Sequence, residues 1–249
     1  MKVCVFMPAY NEERHIARVV RGARDLGFPT LVVDDASADA TVERAKVAGA
    51  VVVRHDRNRG KGMALATGFT WARENGFVAA VTLDGDGQHD PAEIPLFVDC
   101  AERTGAHIVV GSRFLRRGAD GVATMPAHRK LTNWFMSTVL SQVAGTRLTD
   151  SQSGFRLVRT EAWSRLRLST AGFDTESEML VRASRMGMLV QEVPIRTIYG
   201  DEVSSISPVR DTLRWIALLW RLSRSSHGAR SARSDEDDGG SGPAVLVAK

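Results

Sequence analysis

A chain of 249 residues, 43% hydrophobic and 25% charged, has the composition of a soluble globular protein and is long enough for one large α/β domain or two small ones. The formal charge of +4 is too small to mark a polyanion-binding surface, and no basic stretch is interleaved with aromatics, so no nucleic-acid partner is expected. The two cysteines match neither a zinc site nor a disulfide framework, and the apolar run Ile216 to Trp220 is far short of the roughly 20 residues a membrane-spanning helix needs.

The chain enters a strand pattern at once, with no longer apolar stretch or small-residue cleavage site, so cytoplasmic residence is expected. Val3 to Met7, Thr30 to Val33, Val51 to Arg54, Val78 to Leu83 and Ile108 to Val110 read as strands buried on both faces. Amphipathic helical patterns separate them at Glu12 to Leu26, Ala40 to Ala48, Lys61 to Glu74 and Pro91 to Arg103. Regular alternation of this kind predicts an α/β fold with a mostly parallel central sheet and helices on both faces. Further on come a helix at Ala127 to Val143, a strand near Phe155 to Val158, a helix near Glu176 to Met186 and a strand near Val190 to Ile195. The expected organisation is one domain over 1–208, made of halves 1–112 and 113–208, then a basic amphipathic helix over 209–224 and a disordered tail over 225–249. Cys4 and Cys100 read as buried structural thiols.

Ligands of such sheets bind beyond the carboxyl ends of the strands, and the loops there hold nearly all the unusual residues. They are Pro8-Ala9-Tyr10-Asn11-Glu12-Glu13, Asp34-Asp35-Ala36-Ser37, Asn58-Arg59-Gly60-Lys61-Gly62 and Asp84-Gly85-Asp86-Gly87-Gln88-His89-Asp90. Asp84 and Asp86, two apart at a strand end and joined by glycine, can aim both carboxylates the same way. With the Gln88 amide oxygen they suit a hard cation, Mg²⁺ or Mn²⁺, that also binds a diphosphate, although the same residues alone also fit a solvated turn. One of Asp34 and Asp35 is placed to accept from a base or ribose, with capping of the next helix by Asp35, Ser37 or Asp39 as the competing role. Lys61 at a helix start suits a phosphate.

These loops, with Gly111-Ser112-Arg113, resemble family 2 glycosyltransferases over about residues 2 to 210, and within them the polyprenyl-phosphate sugar synthases most. The resemblance implies a GT-A fold and an inverting enzyme that moves a hexose from a nucleotide sugar of the GDP-mannose or UDP-glucose type to a polyprenyl phosphate. It implies that Pro8, Ala9, Tyr10, Glu12, Asp34, Asp35, Lys61, Asp84 and Gln88 hold the donor, and that Asp84, Asp86 and Gln88 hold Mg²⁺ or Mn²⁺. Arg113, Arg129, Asn133 and Gln152 are implied to receive the acceptor, with Asp86, Asp150 and Arg113 as the catalytic set. Relatives place an Arg or Lys after the last strand to engage the donor; Tyr199 to Ser205 offers none here, and Arg196 is the nearest.

A phosphate monoester is already anionic at neutral pH and needs only positioning, for which arginine is suited; a hydroxyl acceptor would need a base, and Asp150 is the candidate. That hydroxyl-acceptor enzyme is the second reading, and a binding protein without catalysis the third. At roughly 100° per residue, Arg210, Arg214, Arg221 and Arg224 form one stripe beside an apolar arc that includes Leu213, Ile216 and Trp220. Such a helix either lies at a membrane surface, making the protein peripheral at the inner face of the cytoplasmic membrane, or packs on the domain.

Overall fold

Successive side chains along a strand point to opposite faces, and in β1 (Val3–Ala9) each face has its own core. Val3, Val5 and Met7 join one apolar cluster, while Cys4 and Phe6 join the other. The computed structural model describes residues 1–115, 125, 127–172, 174–196, 198, 215 and 217–220. After β1 come α1 (Ile16–Asp25), β2 (Thr30–Asp34), α2 (Thr41–Val47), β3 (Val51–Arg54), α3 (Lys61–Glu74) and β4 (Ala79–Thr82). A 3₁₀ turn (Pro91–Glu93) then leads into α4 (Ile94–Thr104), β5 (Ile108–Ser112), α5 (Ala127–Ala144), β6 (Arg156–Arg159), α6 (Thr160–Leu166), α7 (Thr175–Arg185) and β7 (Val190–Pro194).

The strands form one seven-stranded sheet in the order β3-β2-β1-β4-β6-β5-β7. Every pairing is parallel except those of β6, which runs antiparallel to β4 and to β5. Helices α1, α2 and α4 supply the apolar layer on one face, and α3, α5, α6 and α7 that on the other. Burial of each large core side chain, such as Phe6, Phe69 or Phe97, stabilises the fold by about 1.5–3 kcal/mol. Gly68 lets α3 lie close on β1, since a Cβ there would overlap the Phe6 ring. Register aligns the functional edge: Ala9 stands opposite Asp34, and Asp34 opposite Arg54, so three loops leave the sheet at one level.

The parallel first half follows the sequence pattern, with corrections. Strand β3 is an edge strand, not one buried on both faces: Val51 is 50% exposed. Residues 12–15 form a turn, so α1 starts at Ile16. Pro91 opens a 3₁₀ turn instead of an α-helix, and α6 was not anticipated. Both cysteines are free and buried. Of the helix expected over 209–224, residues 215 and 217–220 are described; they are helical, with Trp215 and Leu218 buried and Trp220 63% exposed. The remainder of that helix, the tail over 225–249 and the stretch Tyr199 to Ser205 lie outside the described residues.

Helix α7 buries two glutamates. The Glu178 carboxylate accepts from Ser169 N and Thr170 N at 2.9 Å, from both hydroxyls at 2.8 and 2.7 Å, and from Arg182 Nε at 2.7 Å. Burial pushes its pKa up, but these donors outweigh burial and hold it below the ordinary glutamate value of 4.5. A depressed carboxyl pKa stabilises the fold above the unfolded value, and the contribution is lost as pH falls through the folded one. Glu178→Gln should therefore destabilise the protein by about 1.5–3 kcal/mol at pH 7 and flatten the acid limb of its stability profile below about pH 4.5. Thermal melts between pH 3 and 7 test this; parallel profiles for the two proteins would count against it.

Candidate active site

The first two loops are stitched together by side chains. Asn11, in the left-handed region at φ 58°, donates its backbone N–H to Ser37 Oγ at 2.9 Å, while its Oδ1 accepts from Ala38 N at 2.9 Å. Glu12 N donates to Thr41 Oγ1 (2.8 Å) and Glu13 N to Asp39 (3.1 Å). Asp34 is fully buried, accepts from Ser37 N and pairs with Arg54 at 3.2 Å. Asp35 fastens the third loop: Oδ1 accepts from Arg59 N (2.9 Å) and contacts His55 Nδ1 (2.7 Å), and Oδ2 accepts from Gly60 N (2.8 Å). The carboxylates of Asp34 and Asp35 thus brace the loops, while the start of α2 is held by other side chains: Thr41 N donates to Asp39 Oδ1 at 3.0 Å and Ala40 N to Glu13 Oε2 at 3.2 Å. Tyr10 is 47% exposed beside them, next to Pro8 and the buried Ala9.

The third and fourth loops meet through charge. Lys61 opens α3 and its ammonium lies 2.7 Å from Asp84 and 3.2 Å from Glu176 at the start of α7. Burial opposes the charge on Lys61, but the two carboxylates outweigh it and hold its pKa above the ordinary lysine value; Asp84 is correspondingly held below the ordinary aspartate range, against its own burial. Lys61, expected at a donor phosphate, here neutralises an expected metal ligand. Two residues along, Asp86 Oδ1 accepts from Gln88 N at 2.9 Å, tightening the turn. Its neighbour Gly87 sits at φ 76°, with its carbonyl accepting from Arg18 at 3.1 Å.

Gly154, entering β6, backs this loop: a Cβ there would overlap the Asp84 carboxylate. Gly154→Ala should displace that carboxylate and lower turnover by roughly 10- to 100-fold. Steady-state kinetics over a Mg²⁺ titration is the check, and unchanged kinetics would remove Asp84 from the working site.

On the far side, Arg113 and Asp150 form a fork. Arg113 Nε and Nη2 donate to Oδ2 and Oδ1 of Asp150 at 2.6 and 2.8 Å, and the Arg113 backbone N–H adds a third bond at 3.1 Å. Asp150 is fully buried, and the Arg113 side chain is 12% exposed. Glu192 of β7 holds the loop from behind, accepting from Thr149 N (2.9 Å) and Asp150 N (3.1 Å). Arg156, 1% exposed, donates to the carbonyls of Ser151, Ser153 and Glu176 and so ties the same loop to α7. Gln152 donates to Ser151 Oγ at 3.1 Å. Arg129 is exposed on the first turn of α5, and Asn133 donates to the Met125 sulfur at 3.9 Å; among the described residues no hydrogen bond or ion pair joins either to the fork. The Arg196 side chain is exposed, and its N–H donates to Glu93 at 3.0 Å.

The family model of glycosyl transferase family 2 matches residues 4–167. The chain is a family 2 glycosyltransferase. Among its relatives, the undecaprenyl-phosphate mannosyltransferase of Micrococcus luteus is 33% identical over 245 residues, covering 89% of this chain and 99% of the relative. The UDP-N-acetylglucosamine–dolichyl-phosphate N-acetylglucosaminyltransferase of Methanococcus voltae is 32% identical over 219 residues, covering 80% and 86%. The glucosyl-3-phosphoglycerate synthase of Mycobacterium tuberculosis, solved with Mn²⁺, UDP-glucose and phosphoglyceric acid, matches with a TM-score of 0.69 at 22% identity, covering 89% of this chain and 80% of that one. That likeness is one of fold, and the fold is GT-A.

In this glycosyltransferase the donor set of the fourth loop fits a hard divalent cation: two carboxylates and an amide, all oxygen. Among the described residues no group of three or more His, Cys, Asp and Glu side chains is arranged as a metal cage, so a cation held by Asp84, Asp86 and Gln88 would complete its shell with substrate oxygens and water. Sequence reasoning missed Glu176, Glu192, Gly154 and Arg156. Glutamates within otherwise apolar helix and strand patterns were the available signal for the first two, since a charge on a buried face requires a partner. Arg156, a charge inside the strand pattern Phe155 to Val158, carried the same signal, whereas Gly154 carried none, because its role depends on β6 running antiparallel between β4 and β5.

Proposed function

We propose that the enzyme transfers a hexose from a nucleotide sugar, of the GDP-mannose or UDP-glucose type, to a polyprenyl phosphate at the cytoplasmic face of a membrane, with inversion at the anomeric carbon. The observation that carries the acceptor class is the Arg113–Asp150 fork. A hydroxyl acceptor needs a general base, and the candidate, Asp150, has both carboxylate oxygens on the guanidinium. A phosphate monoester has lost most of its second proton at neutral pH, with a pKa near about 6, and is a nucleophile without help. Its oxygen attacks the anomeric carbon from the face opposite the diphosphate, the carbon–oxygen bond to the diphosphate breaks, and the electron pair leaves with the nucleoside diphosphate.

The residues act by holding the reactants. Loops one to three, fixed by Asn11, Asp34 and Asp35, receive the nucleotide; Arg113, with Arg129, Asn133 and Gln152, receives the acceptor phosphate. Mg²⁺ or Mn²⁺ on Asp84, Asp86 and Gln88, when bound, neutralises charge on the departing diphosphate. Relatives that act on undecaprenyl and dolichyl phosphates support the lipid acceptor. The test is label transfer from a panel of radiolabelled nucleotide sugars into organic-extractable lipid, with purified protein, a medium-length polyprenyl phosphate and Mg²⁺ or Mn²⁺. Label in the lipid from one donor, lost on chelation, is expected. Donor hydrolysis with no lipid product would favour a hydroxyl acceptor, with Asp150 released to act as base.

A further inference from the structure

Helix α5 is tied to the acceptor side through its second half, while its first half carries exposed apolar side chains. In the second half, Ser137 Oγ accepts from Ser151 N at 2.9 Å and Ser141 Oγ from Leu148 N at 2.9 Å, so the helix is bound to the loop that carries Asp150 and Gln152. In the first half Leu131, Trp134 and Phe135 are 65%, 58% and 55% exposed. They recur at i, i+3 and i+4, the spacing that gathers side chains on one stripe. Two adjacent solvent-facing aromatics with a leucine form an apolar patch of the kind that marks an interaction surface.

Charge identifies the partner. The 18 residues of α5 include no Asp or Glu. Arg129 is exposed and Lys130 half-buried in its first turn, and Arg147 is exposed just past its end. An apolar, aromatic stripe flanked by cations complements an anionic headgroup layer over acyl chains. A second copy of the same face would instead bring like charges together. The C-terminal segment is less suited, since Trp215 and Leu218 are buried in the protein.

We propose that the Leu131–Trp134–Phe135 face of α5 docks the enzyme on a bilayer containing anionic phospholipid, presenting the Asp150 loop to a lipid-borne acceptor. The purpose assigned to docking rests on the polyprenyl-phosphate reading; the docking itself needs neither donor nor acceptor. The experiment is co-sedimentation of the full chain with phosphatidylcholine vesicles, with and without phosphatidylglycerol, for the native protein and for Trp134→Ser/Phe135→Ser.

Native protein should pellet with the anionic vesicles, and the double variant should bind at least about tenfold more weakly, as expected for two lost aromatic contacts. Its melting temperature should hold, because both side chains already face solvent. Equal binding by the two proteins, or no binding by the native one, overturns the proposal; so does a native dimer that the variant converts to monomer in sedimentation velocity. Vesicle binding without sugar transfer to a polyprenyl phosphate would leave the docking face standing and defeat the acceptor reading alone.

Discussion

Asp86→Asn should abolish sugar transfer while leaving the protein folded. The substituted amide keeps an oxygen that can accept from Gln88 N, the 2.9 Å bond that shapes the turn, so stability should change by no more than about 0.5 kcal/mol. What disappears is one of two carboxylate charges for a divalent cation, whose stabilisation of the leaving diphosphate is worth several kcal/mol, or on the order of a thousandfold in rate. Asp84→Asn should lose turnover and stability together, because Asp84 also answers the Lys61 ammonium at 2.7 Å. Single-turnover assays beside thermal melts separate the two effects. An Asp86→Asn enzyme within about tenfold of native turnover would take the metal away from this loop.

The contrast between these aspartates bears on what the sequence can disclose. The parallel half of the sheet was legible because each of β1, β2 and β4 is a short apolar run ending in a polar loop, and a strand buried on both faces has no other reading in so regular an alternation. β3 has the same valine-rich run yet lies at the edge; Val51-Val52-Val53 carries no mark of which strand finds a neighbour. β6 was expected as a strand, but its direction and its place between β4 and β5 were not, since both follow from the path of the chain through α5 and the loop to Gly154.

The site divides in the same way. Asp84, Asp86 and Lys61 were visible because polar residues at the ends of apolar strands collect at one edge by topology alone, whereas Arg113 was marked by the family resemblance. Their partners were not. Lys61 reaches Asp84 across 23 positions and Glu176 across 115, and Glu192 supports Asp150 from a different strand. Such pairings belong to packing, and no periodicity encodes them. The expected donor roles of Asp34 and Asp35 illustrate the cost: both lie at the right edge, yet their carboxylates brace loops through Ser37, Arg59 and Gly60.

Arg113→Lys and Asp150→Asn should each impair transfer, and together no more than the worse of the two. Asp150→Asn turns an amide N–H₂ toward one guanidinium nitrogen and so breaks a buried, three-bond contact, at a cost of about 3–5 kcal/mol in stability. Arg113→Lys keeps the charge but loses the planar fork that can face a carboxylate and a phosphate at once. If Asp150 serves by aiming Arg113 at an anionic acceptor, both variants raise KM for the polyprenyl phosphate more than they lower kcat. Donor hydrolysis is then spared, and the double-mutant cycle shows strong coupling. If Asp150 is instead a base, Asp150→Asn collapses kcat and removes the acid limb of the pH–rate profile, whereas Arg113→Lys leaves that limb in place. The fork geometry predicts the first pattern, because both Asp150 oxygens already accept N–H bonds from Arg113 and the carboxylate is held as a rigid post that aims the guanidinium.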